Sequence, residues 1–496
     1  MADATLGKVA PEEHYELKKG VLTTWDALAL SIAVIAPAMA AAYNTSFAAS
    51  VSGGSTPLGF LIAGLSSLAL AYVVIQFTRR MASAGYAYTY TTKSLGPTIG
   101  FLVGWLYTFG FALFVPMTMA GASGNLSTLL QASFGWNINW FIIFLAGMGG
   151  IFLLSYYDVR LSTRAQLILG AASVLVVALL AVIIIGKGGA HGNDVSAFGW
   201  GHTSSASGAF NGISLGIVYA ITSFIGFETS AVLGEETANP RRSIPTSIIG
   251  AVIFAVVFYM VITYAMAIGY GVGNGAAWGN DFTPLHTLAT KYASFLTVLV
   301  DLAAIVSAFI VCLACHTATV RVMFSMGRDG ALPRVLGRTH PVHKTPVNAI
   351  MVDIVAATVI AAVLGFPTVA GWAASGSGLV YGFCGGMGSI AVAAVYVVLC
   401  ISGIVYFRRV MGRDHSVLKH VVVPLIGIVA FALGIYGAIY GSPTPPLNAM
   451  APITGVWIIL GAGLVFYLRS RSPELVRRLG QVMGEEGSGE AEEGIA

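Results

Sequence analysis

Charge is what this sequence has least of. Aspartate, glutamate, lysine and arginine make up 9% of its 496 residues, while 56% are hydrophobic. A soluble domain carries roughly 25% charged residues, so a soluble globule is excluded. The net charge of +4 is spread along the chain and forms no basic face. That excludes a nucleic-acid surface and leaves the lipid bilayer as the surrounding partner. Cysteine is nearly as scarce. Cys312, Cys315, Cys384 and Cys400 all lie in apolar runs, and the C-x-x-C of Cys312 and Cys315 has no second pair. His316 beside it cannot complete a metal site, so the thiols read as small buried helix residues, and no metal or other cofactor is expected. A cleaved leader is not expected either: Glu12, Glu13 and Glu16 precede the first apolar run and Pro37 interrupts it.

What is there instead is apolar sequence in lengths that suit a membrane. Crossing the hydrocarbon takes about 20 apolar residues. Twelve runs approach or exceed that length, at approximately 25–50, 57–78, 97–130, 139–156, 164–186, 210–236, 245–272, 293–322, 347–366, 375–407, 420–440 and 451–468. With the N-terminus in the cytoplasm, only Lys187 and Lys291 of the 25 basic residues fall outside. This asymmetry sets orientation in membranes and predicts an all-α, twelve-span protein with both termini cytoplasmic. Trp136, Trp140, Trp200, Trp278, Trp372 and Trp457 fall near predicted outer ends and read as an interfacial belt.

Spans one and six are peculiar. Span one reads "SIAVIAPAMAAAYN", with Pro37 at its middle; span six reads "YAITSFIGFETSAVLGEE", with Gly226 at its middle and Glu228 just beyond. Proline has no N–H and disfavours helix in the residue before it. The two spans run in opposite directions and lie five spans apart, as inverted repeats require, and interrupted spans at matching positions point to a transporter site. Carbonyls near Ile35 and Phe224 would end half-helices, and amides near Ala38, Met39 and Glu228 would begin the next ones. Their partial charges suit the ammonium and carboxylate of an amino acid. The chain then divides into a cytoplasmic segment 1–24, a first repeat 25–186, an external loop 187–209, a second repeat 210–407, two appended spans within 408–471, and an acidic cytoplasmic tail 472–496 whose composition predicts disorder.

Several strings resemble the bacterial type of the amino acid–polyamine–organocation (APC) permeases, from about Leu17 to Arg471. They are "LKKGVLTTWDALALSIAVIAP", "RRMASAGYAYTY" in the loop after span two, "YYDVRLSTRAQ", "SFIGFETSAVLGEETANPRRSIP" and "RVMFSMGRDGALP". The resemblance implies a ten-helix inverted-repeat core working by alternating access. By position it implies substrate contacts from Ile35, Ala36, Pro37, Ala38, Met39 and Ala40 in span one, and Phe224, Ile225, Gly226, Phe227 and Glu228 in span six. Span three would add Thr108 and Phe111. Thr222 stands where arginine/agmatine antiporters have an aromatic gate, and span five has no ionisable side chain from Ala165 to Gly186.

The remaining polar residues read more plainly. Span boundaries place Asp301 and Asp353 at interfaces, and His316 reads either as a proton carrier or as a ring bonded to a carbonyl. Ser307 with Thr317 or Thr319 offers oxygens for Na⁺, but such hydroxyls more often face neighbouring helices. The "GASG" of Gly121 to Gly124 matches rhomboid serine proteases, yet small residues are what helix packing selects anyway, and no ion-filter loop speaks for a channel. The expectation is a secondary transporter of small-molecule substrates, not an enzyme. It would take up amino acids, driven by protons rather than Na⁺, with Glu228 either as the proton-coupling residue or as a cap on the restarting helix. Transport of a polyamine or another organic cation is the alternative. The sequence is silent on oligomeric state.

Overall fold

The computed structural model describes residues 23–471 other than 82–85, 158–162, 206–207, 233–238, 329–331, 344, 367–375, 411–414 and 442–444. The regular elements among the described residues are all helices. The first half contains α1 (Thr24–Ile35), α2 (Pro37–Ala42), α3 (Asn44–Ser52), α4 (Thr56–Thr78), α5 (Tyr86–Leu95), α6 (Pro97–Phe134), α7 (Trp140–Tyr156) and α8 (Thr163–Gly186). The second contains α9 (Ala209–Phe224), α10 (Thr229–Val232), α11 (Pro240–Tyr270), α12 (Gly275–Gly279), α13 (Pro284–Tyr292), α14 (Thr297–Arg328), α15 (Val347–Gly365) and α16 (Ser377–Val410). Two more follow, α17 (Val423–Tyr440) and α18 (Met450–Arg471).

Among the described residues, nine helical runs are long and apolar enough to cross a bilayer, the first taking in α2 to α4 together; α7 and α9 are shorter apolar helices. Prolines start many of these helices rather than break them. Pro37, Pro57, Pro97, Pro240, Pro284 and Pro424 all sit in first turns, where the missing N–H costs no hydrogen bond. Large apolar side chains stay exposed on the outer faces, such as Leu175 and Val182 on α8, Val355 on α15 and Val429 on α17. Helices with apolar surface on both sides suit lipid, not water. At 1.5 Å per residue, the 38-residue α6 is about 57 Å long, well beyond the hydrocarbon.

Packing is centred on α6, which lies against α14 and α16. Around it α4 packs on α11, α1 on α11, α9 on α4, α7 on α6, and α15 on α14. The loop 187–209 is packed rather than loose. The Gly54 amide donates to the His202 carbonyl at 2.8 Å, and a side chain on Gly53 (φ 58°) would strike that carbonyl. Asp194 caps the turn Val195–Phe198, and hydrogen bonds from the Ser196 hydroxyl and amide hold its carboxyl below the usual carboxylate range. Lys187 and Lys291 donate to the carbonyls of Tyr292 and Gly269, at the C-terminal ends of α13 and α11, where positive charge offsets the helix dipole.

Three expectations need correcting. The string "RRMASAGYAYTY" is not wholly loop, because Tyr86 to Tyr90 begin α5, anchored by Tyr90 stacking on Phe77 at 4.8 Å. Trp278 is no interfacial anchor: it is fully buried and stacks on Tyr270. Trp136 and Trp200 are exposed, and Trp372 lies outside the described residues. Asp301 and Asp353, placed at interfaces by the span boundaries, are buried in the helix packing, each against a histidine. The acidic tail 472–496 and most of the segment 1–24 lie outside the described residues.

Candidate functional site

The helix α1 stops at Ile35 because Pro37 cannot donate to the turn before it and crowds Ala36 out of the helical region. Ala36 takes up the left-handed conformation (φ 50°, ψ 61°), and helix resumes at once, with the Ala40 amide on the Ala36 carbonyl at 2.9 Å. Pro37, Ala38, Met39 and Ala40 are all buried in α2. The Ile35 carbonyl meets the Tyr259 hydroxyl at 3.5 Å, a long contact.

The second interruption is wider. The helix α9 ends at Phe224, and Ile225, Gly226, Phe227 and Glu228 form a turn before α10. Gly226 has φ 111°, open to glycine and costly for other residues. A Cβ there would lie 2.8 Å from Val34 Cγ1 and 3.1 Å from the Val34 backbone. The two interruptions are therefore in contact, Gly226 against the last turn of α1. A side chain at Gly226 would strike this neighbouring helix first.

Glu228 braces that turn. Its Oε2 accepts the Gly226 amide at 3.0 Å, and its Oε1 accepts the Tyr396 hydroxyl at 2.6 Å and, more distantly, that of Tyr107 at 3.5 Å. The carboxyl group is 1% exposed, and these contacts include no basic side chain.

Between the interruptions lies a cavity of about 20 Å³, lined by Val34, Ile35 and Met39 from α1 and α2, Phe111, Phe114, Met117 and Thr118 from α6, Thr222 and Ile225 at the end of α9, and Val311 and Cys315 from α14. Its lining carries no charged side chain. The hydroxyls are engaged: Thr118 donates to the Phe114 carbonyl at 2.7 Å, and Thr222 bonds the Val218 carbonyl and the Ser389 hydroxyl. Beside the cavity, Tyr381 donates to Asn44 Oδ1 at 2.6 Å and Asn44 Nδ2 donates to Ser223 at 2.9 Å, tying α16, α3 and α9 together.

Of the residues singled out in the sequence, Ile35, Met39, Phe111 and Ile225 line the cavity. Ala36, Pro37, Ala38, Ala40, Phe224, Gly226, Phe227 and Glu228 shape its two ends without lining it. Thr108 is not in the lining; its hydroxyl donates to the Gly104 carbonyl at 2.8 Å. The residues missed are Val34, Phe114, Met117, Thr118, Thr222, Val311 and Cys315. The spacing of Phe111, Phe114 and Thr118, and of Val311 and Cys315, puts each set on one helical face.

Two buried carboxylates meet histidines. Asp353 Oδ2 lies 2.6 Å from His316 Nδ1, with both side chains almost fully buried, and Asp301 Oδ2 lies 2.7 Å from His286 Nδ1. His316 is thus bonded to a carboxylate and not to a carbonyl. Span boundaries uncertain by a turn hid this, and a pair 37 positions apart leaves no local trace. The four cysteines are free and buried. Ser123 of the "GASG" string bonds the Met119 carbonyl of its own helix at 2.8 Å.

Known proteins resemble this chain over most of its length. The family model for amino acid permeases matches residues 22–465. The chain is 26% identical over 479 residues to the branched-chain amino acid permease BcaP of Lactococcus lactis subsp. cremoris, covering 93% of this chain and 96% of that one. It is 28% identical over 323 residues to the Bacillus subtilis protein of the same name, covering 61% and 66%. The low-affinity putrescine importer PlaP of Escherichia coli (strain K12) is 27% identical over 311 residues, again covering 61% and 66%.

Proposed function

The chain belongs to the amino acid permease family, and from that premise we propose that it carries amino acids with apolar side chains into the cell by alternating access, driven by protons. The observation that carries this reading is the cavity between the two helix interruptions, whose lining is apolar and uncharged. An aliphatic side chain would sit against Met39, Phe111, Phe114 and Val311. The backbone groups released at Ile35 and Phe224 would take the ammonium, and the restart of helix after Pro37 the carboxylate.

A twelve-crossing layout underlies the proposal: α1 to α3 together, α4, α6, α7, α8, α9 with α10, α11, α14, α15, α16, α17 and α18. The repeats would be 25–186 and 210–407, with both termini cytoplasmic. The packing supports it. Exchanging the first five crossings for the second five turns α1 on α11 into α9 on α4, α7 on α6 into α15 on α14, and α8 on α14 into α16 on α6. Each partner contact exists, as inverted repeats require. Orientation rests on the basic residues. A cysteine at exposed Val195 in a cysteine-free background should label from outside intact cells; failure to label would reverse it.

Coupling is assigned to Glu228. Protonating it would weaken its hold on the Gly226 amide, so a proton would bear directly on the shape of the second interruption. The putrescine importer favours a second reading, transport of a polyamine. A diamine needs an anionic partner for each end, however, and Glu228 is already engaged outside the cavity lining. The test is uptake by purified protein in liposomes. Labelled leucine should exchange and be displaced by isoleucine and valine, and an inward proton gradient should accelerate it. Putrescine uptake without leucine uptake would overturn the substrate assignment.

A further inference from the structure

One buried titratable cluster stands apart from both interruptions. His316 on α14 and Asp353 on α15 meet at 2.6 Å and are 1% and 3% exposed. The other ring nitrogen, His316 Nε2, has no hydrogen-bond partner among the described residues. Neither has Thr319 Oγ1, which lies three residues along α14 on the same face. Two unsatisfied polar atoms within one turn of a buried helix are unusual.

The surroundings are poor in charge. The titratable residues of α6 and α7 are Tyr107 and Tyr156, α2 has none, and Asp353 is the single one on α15. The helices α1 and α8 carry Asp26 and Arg164 near their starts, and α13 carries His286, Lys291 and Tyr292, with His286 paired to Asp301 near the start of α14. On α14 the others are Cys312, Cys315, exposed Arg321 and the terminal Arg328, with Arg334 on the turn that follows. Toward α16 come the tyrosines 381, 396 and 406, the cysteines 384 and 400, and Arg408 and Arg409 in its last turn. Among the described residues, His316 is the basic side chain that meets Asp353.

Proton arithmetic singles out one atom. With His316 Nδ1–H donating to an ionised Asp353 and Nε2 bare, the pair is a buried anion. One further proton makes it neutral overall, either as imidazolium with carboxylate or as the other imidazole tautomer with a carboxylic acid. In both neutral forms Nε2 carries hydrogen, so an N–H bond at Nε2 is what forms on loading and breaks on release. The neutral form suits a dry helix bundle, and the anion calls for water at Nε2.

We propose that His316 and Asp353 form a second proton-binding site, loaded at His316 Nε2 and working with Glu228 in driving uptake. The inference rests on the proton-coupled reading above. Cys315, the residue before His316, lines the cavity. Ile225 lines it too, one residue before Gly226, whose amide donates to Glu228. The pair and Glu228 thus each adjoin the same cavity by way of a lining residue.

The test uses wild type, Asp353→Asn and the double variant His316→Gln/Asp353→Asn in liposomes, with leucine as probe. The single variant keeps an acceptor for His316, and the double variant keeps two polar side chains of similar size without a titratable group. Leucine exchange at equal pH should stay within about twofold of wild type, while acceleration by an inward proton gradient should fall about tenfold or more. Undiminished acceleration in a variant that exchanges leucine overturns the site while leaving the transport reading intact. A wild type that exchanges leucine but ignores the gradient overturns coupling and pair together. Loss of exchange in both variants marks a structural pair and also overturns the site. A further readout needs no substrate: the difference between infrared spectra recorded at two pH values should contain an imidazolium or a carboxylic-acid band that His316→Gln/Asp353→Asn lacks. Identical spectra overturn the site.

Discussion

At the first interruption the chain leaves helix for one residue, Ala36, and a proline does the work by lacking an N–H. At the second it leaves helix for four residues, Ile225 to Glu228, and the work is divided between a glycine at φ 111° and a buried carboxylate. The first is held by exclusion: nothing need bond to Ala36 for the helix to stop there. The second is held by attraction, because Glu228 must reach the Gly226 amide and two tyrosines from α6 and α16. A break made by exclusion is stiff and insensitive to charge. One made by attraction can respond to a proton. Of the two interruptions, the second is therefore the one whose shape a proton would alter directly.

Substitutions can break that contrast, and the largest effect is expected at Gly226. Gly226→Leu meets both a forbidden backbone region, costing about 1–3 kcal/mol, and the Val34 contact. Leucine exchange should fall about 100-fold, since small displacements at a site are that costly. Wild-type exchange by this variant would show that the turn is an ordinary packed segment. Glu228→Gln comes next. It keeps an acceptor for the Gly226 amide and removes the charge, so exchange should persist while acceleration by a proton gradient falls about tenfold. A mutant as gradient-driven as wild type would reduce Glu228 to a brace.

The first interruption should be more forgiving. Pro37→Ala returns an N–H to the chain and should lower stability by about 0.4–1 kcal/mol, with a several-fold rise in the KM for leucine and little change in pH dependence. A pH profile altered as much as that of Glu228→Gln would erase the distinction between the two breaks. Smallest of all is Ala36→Gly. Glycine accepts the left-handed conformation freely but is more mobile when unfolded, so the melting temperature should shift by the equivalent of about 1 kcal/mol or less. A larger fall would mean that the Ala36 methyl is held by packing.

What could be read in the sequence follows the same division. Pro37 and Gly226 act on the backbone within a residue or two, so both interruptions were legible from local chemistry. The cavity walls were not. Phe114, Thr118, Val311 and Cys315 lie on helices that are apolar all round, and nothing in their periodicity separates a cavity face from a packed one. The partners of Glu228 were hidden for another reason. Tyr107 and Tyr396 lie 121 and 168 positions away and become neighbours only when three helices converge. Thr108 shares a helix with Phe111 but not the cavity lining, a difference that an apolar periodicity does not reveal. Asp353 reads as an interface residue because His316, its partner in burial, comes from another helix.

The contact of Gly226 with Val34 has a consequence for how such a protein can change over generations. The two positions are 192 residues apart in sequence, yet the space between them admits no added carbon. An enlargement at position 226 becomes survivable only after a loss of volume at position 34, and the order of the two events matters. Val34→Ala, which also alters the cavity lining, should cost some leucine exchange alone but return part of the transport lost in Gly226→Ala, leaving the share due to backbone strain uncorrected. Inherited variation in one half of the chain is in this way licensed by the other.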